Sequence, residues 1–278
     1  MSLKDKIRYF EFTHTGRVRE HNEDAMFSDM DIGLIVLADG MGGYNAGEVA
    51  AALAIRSVTD MVRAGLDQET RTSVDDSSGL MRQSIVLRNA VIRANKIIWQ
   101  TAQAQPQCRG MGTTIVACLF HANRVSVAHV GDSRAYRFRK NRFEQLTLDH
   151  SLMQELVDRG FFSHQEAQRS TNRNYVTRAL GVEPAVEVEI QEETVKPEDI
   201  YLLCSDGLSD MVDDEDIHLT ISTFSDNLQT GGEQLIQLAN ANGGRDNISI
   251  CIAQVVESFA EPRGLVGRLR GWFGLASR

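Results

Sequence analysis

The sequence predicts an α+β fold: a four-layer α-β-β-α sandwich, with two packed, mainly antiparallel sheets flanked by helices and interrupted by a flap insertion. Three observations predict it. Short β-like runs follow one another across tight polar turns between residues 113 and 148, as antiparallel neighbours do. Two long helical patterns stand together, over 46–65 and 80–103, instead of alternating with strands. A third helical pattern, 231–244, leads directly into the final strand.

Each element has a local reason. "RYFEFTHT" (8–15) and "GLIVLAD" (33–39) open the chain as strands, the second an apolar run suited to burial on both faces. "AGEVAAALAIRSVTDMVRAG" and "LMRQSIVLRNAVIRANKIIWQTAQ" place apolar residues three and four apart, the stripe of a helix lying on a core. The polar stretch 66–79 between them reads as a solvent loop. "TTIVACLF" (113–120), "RVSVAHV" (124–130), "RAYRFRK" (134–140) and "RFEQLTL" (142–148) read as a meander turning at "HAN", "GDS" and "KN". Residues 149–181 interrupt the strands with mixed short helices and read as a flap over one end of the sheets. "AVEVEI" (185–190), "DIYLLCS" (199–205) and "NISICIAQVV" (247–256) complete the strands. One domain over 1–258 and a tail over 259–278 are expected.

Composition narrows the class of function. A net charge of −9 argues against nucleic-acid binding, which calls for a basic face. The start "MSLKDKIRYFEF" lacks the apolar core of a signal peptide, and no apolar run reaches membrane-spanning length. The four cysteines form no CxxC pair and read as free thiols of a reducing, cytoplasmic compartment.

The chemistry lies in the carboxylates. "LADG" and "CSDG" each end an apolar strand in Asp-Gly, giving Asp39 and Asp206; "GGRDN" places Asp246 just before the last strand; "NEDA" supplies Glu23 and Asp24. A lone strand-end Asp before Gly is usually a turn residue. Several such acids meeting at one rim would instead take up protons unless a cation held them ionised. Oxygen ligands without a His or Cys cluster suit Mg²⁺ or Mn²⁺. Gly40 leaves its carbonyl free to approach an ion, and Gly42 and Gly43 let the chain turn back. Residue type and spacing thus point to a hydrolytic divalent-metal site and name no substrate.

The ordered motifs "GRVREHNEDA", "VLADGMGGYNAGEVA", "MGTTIVA", "AHVGDSRAYR", "TLDHS", "LLCSDGLSD" and "GGRDNIS" resemble the metal-dependent protein phosphatases, more closely the bacterial PP2C-type serine/threonine phosphatases, over about residues 8–256. The resemblance implies a binuclear Mn²⁺ or Mg²⁺ centre. Asp39 would bridge both ions, the Gly40 carbonyl would bind one, Asp206 and Asp246 would ligate the other, and Glu23 would hold a metal-bound water. Asp132 matches an acid that helps bind a third ion; a hairpin-turn aspartate is the competing reading. Asp24 and Asn247 match positions that orient neighbours as readily as they ligate. Arg19, four residues before Glu23, matches the arginine that grips the substrate phosphate, with Arg17 the competing assignment. Met41 stands where eukaryotic relatives have a histidine proposed as general acid, and Tyr44 where many bacterial members have His. His129, His150 and His14 are replacements only by composition.

The activity implied is hydrolysis of phosphoserine and phosphothreonine in proteins by a metal-activated water, opposing a bacterial serine/threonine kinase. A phosphatase dedicated to an anti-sigma-factor antagonist and a non-catalytic phosphoprotein-binding protein are the alternatives. A monomer is expected, and Arg159, Arg169, Arg173 and Arg178 in the flap would meet acidic phosphopeptides. The tail carries Arg263, Arg268, Arg270 and Arg278 with Leu265, Val266, Leu269, Trp272 and Phe273 at helical spacing. That pattern suits either packing on the core or docking on an anionic membrane surface or a partner.

Overall fold

A computed structural model describes residues 3–43, 46–68, 73–163, 166 and 175–260. Tyr44, Arg169, Arg173 and the basic tail from residue 262 lie outside the described residues.

Eleven strands among these residues form two antiparallel sheets. One has the order β1(Ile7–His14), β11(Ile248–Val255), β10(Ile200–Cys204), β7(Arg134–Arg139), β8(Arg142–Gln145). The other runs β2(Asp24–Asp29), β3(Leu34–Met41), β5(Ile115–His121), β6(Arg124–Val130), β9(Glu189–Thr194), with the short β4(Gly112–Thr113) against β3. Helices α1(Ala46–Gln68) and α2(Arg82–Ala104) cover the second sheet. Helices α4(Asp206–Ser209), α5(Asp214–Thr223) and α6(Leu228–Ala241) cover the first, and α3(Leu152–Asp158) lies in the flap. The four layers follow from strand alternation. Leu34, Val36 and Ala38 face Ala50, Ala54 and Val58 of α1, while Ile35 and Leu37 join Tyr201, Leu203 and Cys251 between the sheets. Ile200, Leu202 and Cys204 turn the other way, onto α5 and α6. All four cysteines are free and buried. No helix among the described residues is long and apolar enough to cross a membrane.

The meander read over 113–148 is two hairpins in different sheets. β5–β6 turns at Ala122 and Asn123, β7–β8 at Lys140 and Asn141, each pair with positive φ as a tight hairpin turn of primed type requires. The "GDS" turn between β6 and β7 closes no hairpin. It carries the chain from one sheet to the other through Gly131 at φ +111, because β7 pairs with β10 and β6 with β9. The last strand of the helix-covered sheet spans Glu189–Thr194 instead of 185–190, in the register Arg124↔Thr194 set by β6. β2, α4 and α5 add to the elements expected. The core also runs past residue 258: Phe259 is buried and its N–H donates to Asn123 Oδ1.

Candidate metal centre

The predicted acids meet at one rim, where ends of strands from both sheets converge. Asp39, near the end of β3, pairs in register with Asp24 at the start of β2. Its backbone N–H donates to Thr114 Oγ1 at 3.1 Å, and its carbonyl accepts from Thr114 N at 2.9 Å and Thr113 Oγ1 at 2.8 Å. Asp206 opens α4 after β10, Asp246 stands just before β11, and Asp132 sits in the crossing turn after β6. Gly40 is required by close approach: a Cβ there would lie 2.2 Å from Gly47 O and 2.6 Å from Glu23 O. The bare backbone beside Asp39 thus lets the N-terminus of α1 and the Glu23 loop close on the rim.

The electrostatics match a cluster of like charges. Burial, then the charges of Asp24, Asp206, Asp132 and Asp246, hold the Asp39 carboxyl well above its ordinary pKa. Burial, then Asp132, Asp210, Asp246 and Asp24, does the same to Asp206. Burial pushes Asp132 up to about 7, with Asp149 and Asp210 adding, and Asp24 up to about 6, against hydrogen bonds from Ser249 and Ser205. Burial also raises Glu23. Asp206 Oδ1 and Asp24 Oδ1 are buried without a hydrogen-bond partner. Carboxylates in this condition either protonate or coordinate a cation. Orphaned oxygens and an all-oxygen donor set fit divalent ions of the Mg²⁺ or Mn²⁺ kind.

Arg19 reaches the rim, its Nη2 donating to Asp246 Oδ2 at 2.7 Å. Arg17 lies along Gly244, its backbone N–H donating to Gly244 O at 2.7 Å, and the guanidinium seen bonded among the acids is that of Arg19. Sequence reasoning left Asn247 with a choice of roles, and the structure makes it a clip. Oδ1 accepts from Glu23 N at 2.8 Å while Nδ2 donates to Thr15 O at 3.0 Å and His21 O at 2.9 Å, fastening the loop that carries Arg19 and Glu23. Asp24 lies beneath the rim, accepting from Ser205 Oγ at 3.0 Å. Ser205 and Thr114 were missed because a single Ser or Thr carries no signal of its partner.

The three histidines considered as acids are engaged elsewhere. His14 Nδ1 accepts from Gly16 N. His129 and His150 stack at 4.7 Å at the base of the flap, with His129 Nε2 on Leu148 O and His150 Nε2 on Glu189 Oε1. Gly131 N donates to His150 Nδ1, so the His150 proton lies on Nε2. These two histidines and Glu189 are close enough to hold a metal, but parallel rings aim their nitrogens side by side, and both Nε2 atoms are bonded.

Comparison with known proteins places this geometry. The model of the family described as Protein phosphatase 2C matches residues 13–240. The serine/threonine phosphatase stp of Listeria welshimeri is 36% identical over 245 residues, 87% of this chain and 93% of that one. The serine/threonine protein phosphatase PstP of Mycobacterium tuberculosis is 38% identical over 253 residues, 90% of this chain and 45% of that one. The crystal structure of the M. tuberculosis phosphatase PstP/Ppp superposes with a TM-score of 0.80 at 34% identity, covering 91% of this chain and all of that one. The catalytic domain of PstP in complex with two manganese ions gives 0.76 at 36%, covering 91% and 99%.

Proposed function

The chain belongs to the protein phosphatase 2C family and is a metal-dependent protein-serine/threonine phosphatase, and we propose that Asp39, the Gly40 carbonyl, Asp206 and Asp246 hold its two ions, with Glu23 beside them. The observation that carries the assignment is the convergence of partly buried carboxylates from both sheets on one rim, with Asp206 Oδ1 and Asp24 Oδ1 left without a hydrogen-bond partner. Asp132 faces the same rim and would help hold a third ion.

When bound, Mn²⁺ or Mg²⁺ supplies Lewis acidity and lowers the pKa of a coordinated water toward neutrality. The residues do the rest. Arg19 offers a planar guanidinium to two phosphoryl oxygens and exchanges its bond to Asp246 for them. Asn247 keeps Arg19 and Glu23 at the rim by holding their loop. Met41 donates no proton and the histidines are committed, so we assign the leaving-group proton to solvent. Cys204 plays no nucleophilic part: burial in β10 holds its thiol up to about 12, and no Cys-x5-Arg loop follows it.

The physiological reading is opposition to a serine/threonine kinase whose substrates this protein dephosphorylates; the basic amphipathic tail would dock it on an anionic surface or on that kinase. The test of the core assignment is phosphate release from a phosphothreonine peptide. Release should require Mn²⁺ or Mg²⁺, stop with chelator, and fall by about two orders of magnitude or more in Asp246→Asn, which removes a ligand charge and almost no volume. A variant with near-normal Mn²⁺-dependent turnover refutes the ligand assignment.

A further inference from the structure

Beside the metal rim a cavity of about 510 Å³ opens between the flap helix α3 and the α4–α5 segment. Its volume lies within the range of ligand clefts and far exceeds one ion with its waters. Asp132 and Asp206 belong both to its lining and to the rim, so whatever fills the cavity sits next to the scissile phosphate.

The lining selects the occupant. The lining is mainly polar, with a smaller apolar part from Met153 and Val157 of α3 and Met211 opposite. Between them lie Asp149, Asp210, Asp213 and Asp214, counted apart from the two acids of the rim, and the single cation among the lining residues is Arg134. Arg134 is already spent: Nε and Nη2 donate to Asp149, and Nη1 donates to Tyr136 Oη and stands 3.8 Å from Asp214 Oδ1. Asp213 gives one oxygen to Asp216 N as the N-cap of α5, and Asp214 gives one to Tyr136 Oη; each retains a second oxygen. Deeper in, Asp132 is only 8% exposed and belongs to the third ion proposed above, so the oxygens counted here for an occupant are those of Asp213 and Asp214. An acidic occupant meets repulsion here, and a wholly apolar one desolvates carboxylates without pairing them. A methylene stem lying along Met153, Val157 and Met211 and ending in a cation satisfies both parts of the lining.

We propose that this cavity takes the side chain of a lysine or arginine that flanks the phosphorylated residue, making phosphoprotein segments with a nearby basic residue the preferred substrates. The assignment rests on the phosphatase reading above. It is tested by comparing kcat/KM at saturating Mn²⁺ for one phosphothreonine peptide carrying lysine, alanine or glutamate at each position from −4 to +4. Wild type should prefer lysine over alanine by about tenfold at one or two positions, disfavour glutamate there, and lose most of the difference in 0.5 M salt. Asp213→Asn with Asp214→Asn keeps the cap and the tyrosine bond but removes two charges. This double variant should abolish most of the preference while p-nitrophenyl phosphate turnover stays unchanged. Val157→Arg, which sets a fixed cation in the cavity wall, should do the same. Equal cleavage of the three peptides by wild type, or a preference that survives both variants, overturns the cavity assignment and leaves the phosphatase standing. Cleavage of none of them overturns both.

Discussion

Replacing Asn247 by alanine tests the idea that one amide holds the working loop in place. Asn247 is 5% exposed and makes three side-chain hydrogen bonds, one accepted from Glu23 N and two donated to Thr15 O and His21 O. Each is worth about 1 kcal/mol net, and water can replace the two at the more exposed carbonyls more readily than the one at Glu23. The expected loss of stability is therefore about 2–3 kcal/mol, read by urea denaturation monitored by circular dichroism. The freed loop carries Glu23 and Arg19, so the Mn²⁺ concentration for half-activation should rise about tenfold or more, as for other residues that orient metal ligands. Asn247→Asp keeps the acceptor for Glu23 but sets a charge against two carbonyls, and should do no better. Stability within about 0.5 kcal/mol of wild type, or an unchanged Mn²⁺ dependence, would refute the clip.

Arg19→Ala should raise KM for phosphopeptides about tenfold and leave stability nearly unchanged, because its ion pair with Asp246 is half exposed; damage from Arg17→Ala with a silent Arg19→Ala would reverse the assignment. The His129–His150 stack gives a pH signature. Burial depresses both imidazoles below their ordinary pKa, so their contribution to stability is full above about pH 6.5 and is lost as pH falls through the folded values. The raised carboxylates of the rim push the other way, gaining stability as pH falls, so the comparison is between wild type and His150→Gln across pH 7.5 to 5. The variant should lose less stability than wild type over that interval, and parallel curves would show that His150 does not titrate there. Saturating Mn²⁺ should raise the melting temperature by several degrees, since ions that bind the folded rim stabilise it by mass action; an unmoved transition at millimolar Mn²⁺ contradicts a built centre.

How much of this was legible follows from how each feature is encoded. Runs such as 33–39 and 199–205 are buried on both faces, so their apolar continuity announces them. β2, "DAMFSD", is half-buried along its length at a sheet edge and carries no such pattern. Helix α5 was hidden by its own first turn, where Asp214, Glu215 and Asp216 suit the positive end of a helix but read in isolation as a polar loop. The strand expected at 185–190 lies four residues later: "AVEVEI" alternates well, yet β6 picks the partner residues and only tertiary pairing fixes that choice. The acids of the rim were the easiest part, because an acid at the end of an apolar strand is costly and therefore conspicuous. Their supports were the hardest. Nothing local distinguishes Asn247, Ser205 or Thr114 from ordinary polar residues, and the partners that define them lie between 75 and 232 residues away along the chain.

The rim draws Asp39, Asp24 and Asp132 from one sheet and Asp206 and Asp246 from the other. An ion held by Asp39 and Asp206, as proposed above, would be a rivet through the sandwich, its span set by what lies between the plates. Ile35, Leu37 and Val116 press there against Tyr201, Leu203 and Cys251, and their combined thickness works as a spacer. Thinning that spacer far from the acids, as Leu37→Ala would, alters the gap the rivet must bridge. The interior of this protein would then be part of its instrument: a change with no polar atom in it should reach the chemistry by moving one plate against the other.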